Sequence, residues 1–215
     1  MTRFSDQDLQ RIRAAVQAAE RKTRGEIVPM VVPASARYRE AAFRTGLILG
    51  LLTLAGLVTA EAYWLPWGWH AGNAGWLLLA VLLAYGIGQW LGACPSVVRL
   101  VTSRERMAFK VRRRAELAFY EHGLHKTQEG TGILIMVSLL ERRVQVLADR
   151  AINERVPPGT WDALTQELIQ GIKDGRPTEA LCQAIARCGD LLADYFPARP
   201  GDNPDELGDE LVQEP

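Results

Sequence analysis

The 215-residue chain has little of what marks a common enzyme or a secreted protein. It has three cysteines, Cys94, Cys182 and Cys188, and none of them falls at a metal-ligand spacing. Cys182 and Cys188 lie on different faces of a helix-patterned segment, which argues against a disulfide; both read as reduced, small apolar core residues. His122 and His125 have no third ligand nearby, so zinc lacks donors, and His122 suits a helix C-terminus instead. The sequence contains no GxSxG elbow, no CxxxxxR loop, no glycine-rich phosphate cradle and no DxDx(T/V) signature. No strong enzyme motif remains. Lys and Arg number 25 and Asp and Glu 25, for zero net charge, so no global field draws nucleic acid. The one basic stretch also lacks the aromatic interleaving of a single-strand binder. The polar N-terminal segment has no cleavable signal pattern.

Long apolar runs, by contrast, are present twice. The first runs from Phe43 to Leu65 and the second from Trp76 to Ala93. A bilayer core about 30 Å thick needs about 20 apolar helical residues, which each run supplies. Neither has a polar stripe at helical spacing, which argues against a pair of buried core helices in a soluble protein, since a hairpin apolar on all sides wants lipid around it. Between them, Pro66 to Gly75 has no acidic residue and no Lys or Arg; Trp64, Trp67, Trp69 and Trp76 cluster there as an interfacial aromatic belt. Arg44 and Glu61 lie near the ends of the first run, where both can snorkel to the headgroups. Arg37, Arg39 and Arg44 precede the pair, and Arg99, Arg104, Arg106, Lys110, Arg112, Arg113 and Arg114 follow it. Basic residues stay on the cytoplasmic side, so the expectation is an inner-membrane, multi-pass hairpin with both termini cytoplasmic. Arg104, Arg106, Lys110, Arg112, Arg113 and Arg114 form a membrane-surface cluster suited to anionic lipid headgroups. Gly46-xxx-Gly50 and Gly88-xxx-Gly92 offer small-residue faces for packing within the hairpin or between copies of a homo-oligomer, and Gln89 could bond across that contact.

The remainder reads as one small α/β domain. Ser5 caps a first helix reaching about Lys22, with Asp8 as its capping-box partner and Leu9, Ile12, Val16 and Ala19 on one face. Glu26 to Val32 reads as a buried strand that Pro29 pushes toward an edge or a bulge. After the hairpin, Ser103 to His122 is a helix with Met107, Val111, Leu117, Ala118 and Phe119 inward, closed by Gly123. Gly132 to Leu139 and Val144 to Ala148 form a strand hairpin around Glu141-Arg142-Arg143, and Asp149 ends it. Thr160 caps a helix to about Lys173 and Thr178 a last one through Tyr195. A lone first strand cannot make a sheet, so the two halves must fold together. The expected divisions are residues 1–40, the hairpin at 43–94, the rest of the domain at 95–197, and an acidic, disordered tail at 198–215.

The order Thr23-x-Gly25-Glu26-Ile27, then Phe119-x-x-x-Gly123-Leu124-x-x-Thr127, resembles the TPM domain. So does Gly132-Ile-Leu-Ile-x-Val-Ser138-x-x-Glu141-Arg142-x-Val-x-x-Leu147-Ala148-Asp149-x-x-Ile152. The run Trp161 to Ile172, Gly175, Leu181-x-x-Ala184-Ile185 and Phe196-Pro197 completes the match. The resemblance implies a compact α/β sandwich, here interrupted by a two-helix transmembrane hairpin. It also implies divalent-metal binding and, from members in photosynthetic organisms, photosystem II repair or acid phosphatase activity. In the family's commoner layout a signal peptide precedes an exported TPM domain with a C-terminal membrane helix; here the apolar helices interrupt the domain.

Glu26 and Asp149 are the candidate metal ligands, since both sit at strand termini. Two carboxylates with carbonyls and water could hold Ca²⁺ or Mg²⁺ and polarise a phosphoryl oxygen. The alternative is an Asp149 that bonds the amides after its strand and a Glu26 exposed on a turn. Asp162 reads as a first-turn acid of its helix. The leading functional expectation is a membrane-tethered interaction or quality-control module with an unknown membrane-protein partner. The alternative is a weak, metal-assisted acid phosphatase.

Overall fold

The computed structural model describes residues 4–63, 73–127, 129–198 and 207–213. Trp64, Trp67 and Trp69, three of the four belt residues, lie outside them. The chain forms two compact units, Met1–Ala36 with Ala108–Pro215, and Arg37–Met107.

The first unit is a mixed α/β layer structure. In chain order it contains α1 (Asp6–Glu20), β1 (Glu26–Val32), most of α5 (Arg104–Glu121), β2 (Gly132–Ser138), β3 (Arg143–Ala148), α6 (Arg150–Asn153), α7 (Thr160–Lys173), α8 (Pro177–Tyr195) and β4 (Val212–Gln213). The sheet order is β3-β2-β1-β4. β1 runs parallel to β2 over the whole register Glu26↔Gly132 to Val32↔Ser138, β2 and β3 are antiparallel, and β4 lies parallel to β1. Both central strands are buried along their full length, as their unbroken apolar sequences require when both sheet faces are covered. Ile27, Val31, Ile133, Ile135 and Val137 pack with α1, α7 and α8 through Ile12, Val16, Leu164, Leu168, Leu181 and Ile185. The alternate residues Val28, Met30, Val32, Leu134 and Met136 pack on α5 through Val111, Ala115, Ala118 and Phe119.

Local signals decide most element ends. Ser5 and Asp8 form the full capping box of α1. Gly123 takes a left-handed conformation (φ 72°) after α5. α1 and α8 cross so closely that a Cβ on Gly189 would come within 2.6 Å of the Ala19 Cβ.

Four expectations need correction. Pro29 does not place β1 at an edge: β4 covers only Met30 and Val31, so the missing amide of Pro29 lies outside that ladder. Disorder of the tail fails at residues 207–213, where Leu207 and Val212 pack on one core and Leu211 on the other, and Asp209 is buried. Leu117 is not inward but 53% exposed, because Val111, Ala115 and Ala118 already define the buried side of α5. Helices α7 and α8 start on Gly159 and Arg176 caps rather than through Thr160 or Thr178 side chains; Pro177 occupies the first turn of α8.

The second unit contains α2 (Arg39–Tyr63), α3 (Asn73–Gly92) and α4 (Pro95–Val101). α2 and α3 are long and apolar enough to cross a membrane. Their small-residue faces meet within the pair: a Cβ on Gly88 would lie 2.7 Å from Gly46 Cα, and one on Gly92 2.6 Å from Ala42 Cα. Leu47, Ile48, Leu51, Leu52, Leu78, Leu82 and Trp90 are exposed on the outside. Gln89 does not bond across the contact; its amide donates to the Tyr85 hydroxyl on the same helix, at 2.6 Å. Glu61 is buried rather than displayed.

Candidate functional site

Glu26 opens β1 opposite Gly132, and Asp149 follows β3, its amide donating to the Gly132 carbonyl at 2.9 Å. The two carboxylate residues therefore stand in one row at one end of the sheet, with β2 between them. Two strand spacings set them about 10 Å apart at the backbone. Asp149 is the N-cap of α6, its side chain accepting from the Arg150 amide at 2.6 Å. A cation held by both would need each side chain to lean over Gly132, whereas Asp149 turns toward its own helix. The capping alternative describes Asp149. Glu26 is no exposed turn residue; it is 3% exposed, within the sheet. This end is also the amino end of the two parallel strands, opposite the edge where open α/β sheets gather ligands. Among the described residues no group of three or more His, Cys, Asp or Glu converges to hold a metal.

Glu26 has different company. Glu20, in the last turn of α1, accepts from the Ile27 amide at 2.9 Å, and Gln17 donates to Asp209 at 2.7 Å. Burial, then the charges of Glu26 and Asp209 with a hydrogen bond to Asp209, push the Glu20 carboxyl up to about 9, against the opposing effect of the Ile27 amide. At neutral pH Glu20 is thus protonated. No sequence signal could have found this trio, because Asp209 sits 192 positions from Gln17.

The carboxyl ends of β1 and β2 carry a second buried polar group. Ser35 donates from its amide to Glu141 at 3.0 Å and from its hydroxyl to Ser138 at 2.9 Å, and Ser138 donates to Glu141. All three residues are buried, so their polar atoms serve one another and clamp the strand ends rather than present a nucleophile. Cys188 lies in the core, where burial pushes its thiol up to about 12, as befits an inert packing residue.

The expected membrane-surface residues Arg104, Arg106, Lys110, Arg112, Arg113 and Arg114 all lie on α5. Part of their charge is answered locally: Arg106 pairs with Glu40 at 3.4 Å, Arg112 with Glu116 at 2.9 Å and Arg114 with Glu121 at 3.0 Å. The helix does interleave aromatics with its arginines, contrary to the sequence reading: the Arg113 guanidinium sits 5.8 Å over the Phe109 ring. Tyr120, also exposed, packs on His125 at 4.9 Å between ring centres.

No curated protein matches the sequence. The solved structure of BA42 protein from the psychrophilic bacterium Bizionia argentinensis is similar in fold, with a TM-score of 0.60 over 100% of this chain and 98% of that one. At 18% identity that likeness is one of fold alone. The family model described as the TPM domain matches residues 96–191. β1 lies before that stretch, yet it is hydrogen-bonded to β2 along its whole length. Residues 96–191 thus match the TPM domain, within a fold similar to that of BA42 protein.

Proposed function

We propose that the chain is a membrane-tethered module in which α2 and α3 span the bilayer and the TPM domain, on the cytoplasmic side, engages a membrane-protein partner. The observation that carries this reading is the pair of long apolar helices, packed on each other through glycines and apolar on their outer sides. Such a surface has no place in water. The orientation rests on basic residues flanking the pair and on their absence between the helices. A cysteine at Ala71 should react with an impermeant maleimide in intact cells, and one at Gln166 only after permeabilisation. The reverse pattern refutes the orientation, and release of the chain by alkaline carbonate refutes the spanning.

A second, weaker reading, metal-assisted phosphate-ester hydrolysis, has in its favour only that Glu26 and Asp149 share one row, and against it that the Asp149 side chain turns to cap α6. Hydrolysis stimulated by Ca²⁺ or Mg²⁺ and lost in both Glu26→Gln and Asp149→Asn supports it. Equal rates in wild type and variants leave the binding module.

A further inference from the structure

Among the described residues of the α/β unit, the exposed large apolar side chains are Phe109, Leu117 and Tyr120, at 61%, 53% and 64%. All three belong to α5, at positions i, i+8 and i+11, which helical geometry places on one side. The opposite side of the same helix is the one committed to the core through Val111, Ala115 and Ala118. Lys110 and Arg112 flank the apolar stripe at about 100° per residue; Arg113 lies within it, stacked on Phe109, and so does Glu116, which pairs with Arg112.

We propose that this outward side of α5 is a membrane-surface face, with Phe109, Leu117 and Tyr120 entering the headgroup layer of an anionic bilayer and Lys110, Arg112 and Arg113 meeting its phosphates. It rests on, and deepens, the tether reading. An apolar stripe edged by long basic side chains suits an interface: the stems lie along apolar surface while the charged heads stay wet. Aromatic rings with one polar edge settle at that same depth. A protein partner would have to answer interleaved arginines and aromatics residue by residue, whereas a lipid surface is laterally adaptable. The chain also delivers α5 there: Arg104 follows Gly92 by 12 positions, a reach of at most about 40 Å even fully extended. A tether that short keeps the face at high effective concentration beside the bilayer.

The test uses the full chain, reconstituted into phosphatidylcholine vesicles with and without phosphatidylglycerol. A fluorophore is placed at Leu117→Cys, or at Gln166→Cys on α7 as control, in a Cys94→Ser/Cys182→Ser/Cys188→Ala background. Spin-labelled lipid should quench the probe at 117 but not at 166, in anionic vesicles only, and high salt should reverse it. Arg112→Ala with Arg113→Ala should weaken the association on the order of fivefold per arginine. In the unmodified chain, amide exchange over 108–121 should slow in anionic vesicles, so a misfolded labelled variant cannot hide the answer. No quenching and no slowing in carbonate-resistant protein overturns the lipid face and leaves the tether standing. The same result in protein that carbonate extracts overturns both. Protection at 117 in every lipid, with 117–117 crosslinking, overturns it in favour of a second copy.

Discussion

Replacing Glu20 by Gln should make the α/β unit more stable at neutral pH, and the gain should grow with pH. Glu20 is 8% exposed, accepts from the Ile27 amide, and lies within reach of the charges of Glu26 from β1 and Asp209 from the segment before β4. Its carboxyl is held at about 9 in the fold against an ordinary 4.5. Between those values the folded chain keeps a proton that the unfolded chain has lost. Stability from this group is therefore full below pH 4.5, falls by about 1.4 kcal/mol per unit as pH rises, and is spent above about 9. From pH 4.5 to 7.5 the loss is on the order of 4 kcal/mol. Gln cannot ionise, still accepts from the Ile27 amide, and donates to Asp209 without needing a proton from solvent. The two chains should be near equal at pH 4.5 and diverge above it, other titrations cancelling in the difference. The assay is urea unfolding of the detergent-solubilised full chain at several pH values, read by amide exchange over 6–20 and 207–213. Parallel pH slopes for wild type and Glu20→Gln refute the buried, protonated carboxyl.

Gly88→Ala should lower the thermal midpoint of the α2–α3 pair by the equivalent of about 1–3 kcal/mol, since its Cβ meets backbone atoms, whereas Gly86→Ala, with nothing within 4 Å, should not. Equal midpoints would show that the helices do not pack on that face. Asp149→Ala should cost about 1 kcal/mol in urea unfolding and Asp149→Asn much less, because Asn also caps; equal losses would indicate that the charge itself matters. Ser138→Ala should cost about 1–3 kcal/mol by leaving Glu141 short of a buried donor, and an unchanged midpoint would mean water replaces it. Deleting residues 207–215 should speed amide exchange at Met30 and Val31, the two positions β4 covers.

Much of the fold was legible because the signals are local or periodic. The Ser5–Asp8 box, the left-handed Gly123 and the alternation of Val144 and Val146 depend on neighbours within a few residues. The two apolar runs needed only composition. What failed depended on distant partners. The acidic, proline- and glycine-rich tail looks disordered by content, yet Leu207, Leu211 and Val212 find core positions supplied by the rest of the chain. Leu117 reads as inward on its apolar side chain alone, whereas at i+6 from Val111 it falls about 120° from the side that Val111, Ala115 and Ala118 bury. Glu26 was found as a candidate, but its partners Glu20 and Asp209 were not, since like charges give no pairing signal along a sequence. Asp149 was read both ways, and its geometry chose the cap.

The seven-residue pairing of β1 with β2 joins segments made far apart in time. Ser35 and Glu141, at the end of that ladder, are 106 positions apart. At typical synthesis rates of about 5–20 residues per second, β1 waits about 5–20 s before its neighbour leaves the ribosome. During that interval an apolar strand has no sheet partner and, of its covering helices, only α1, a state prone to wrong association. The apolar pair is the next segment to emerge, and its capture by a bilayer would hold β1 against the membrane until β2 arrives. Under the proposed tether, the insertion would then act during synthesis as a placeholder that guards β1 until its partner strand is made.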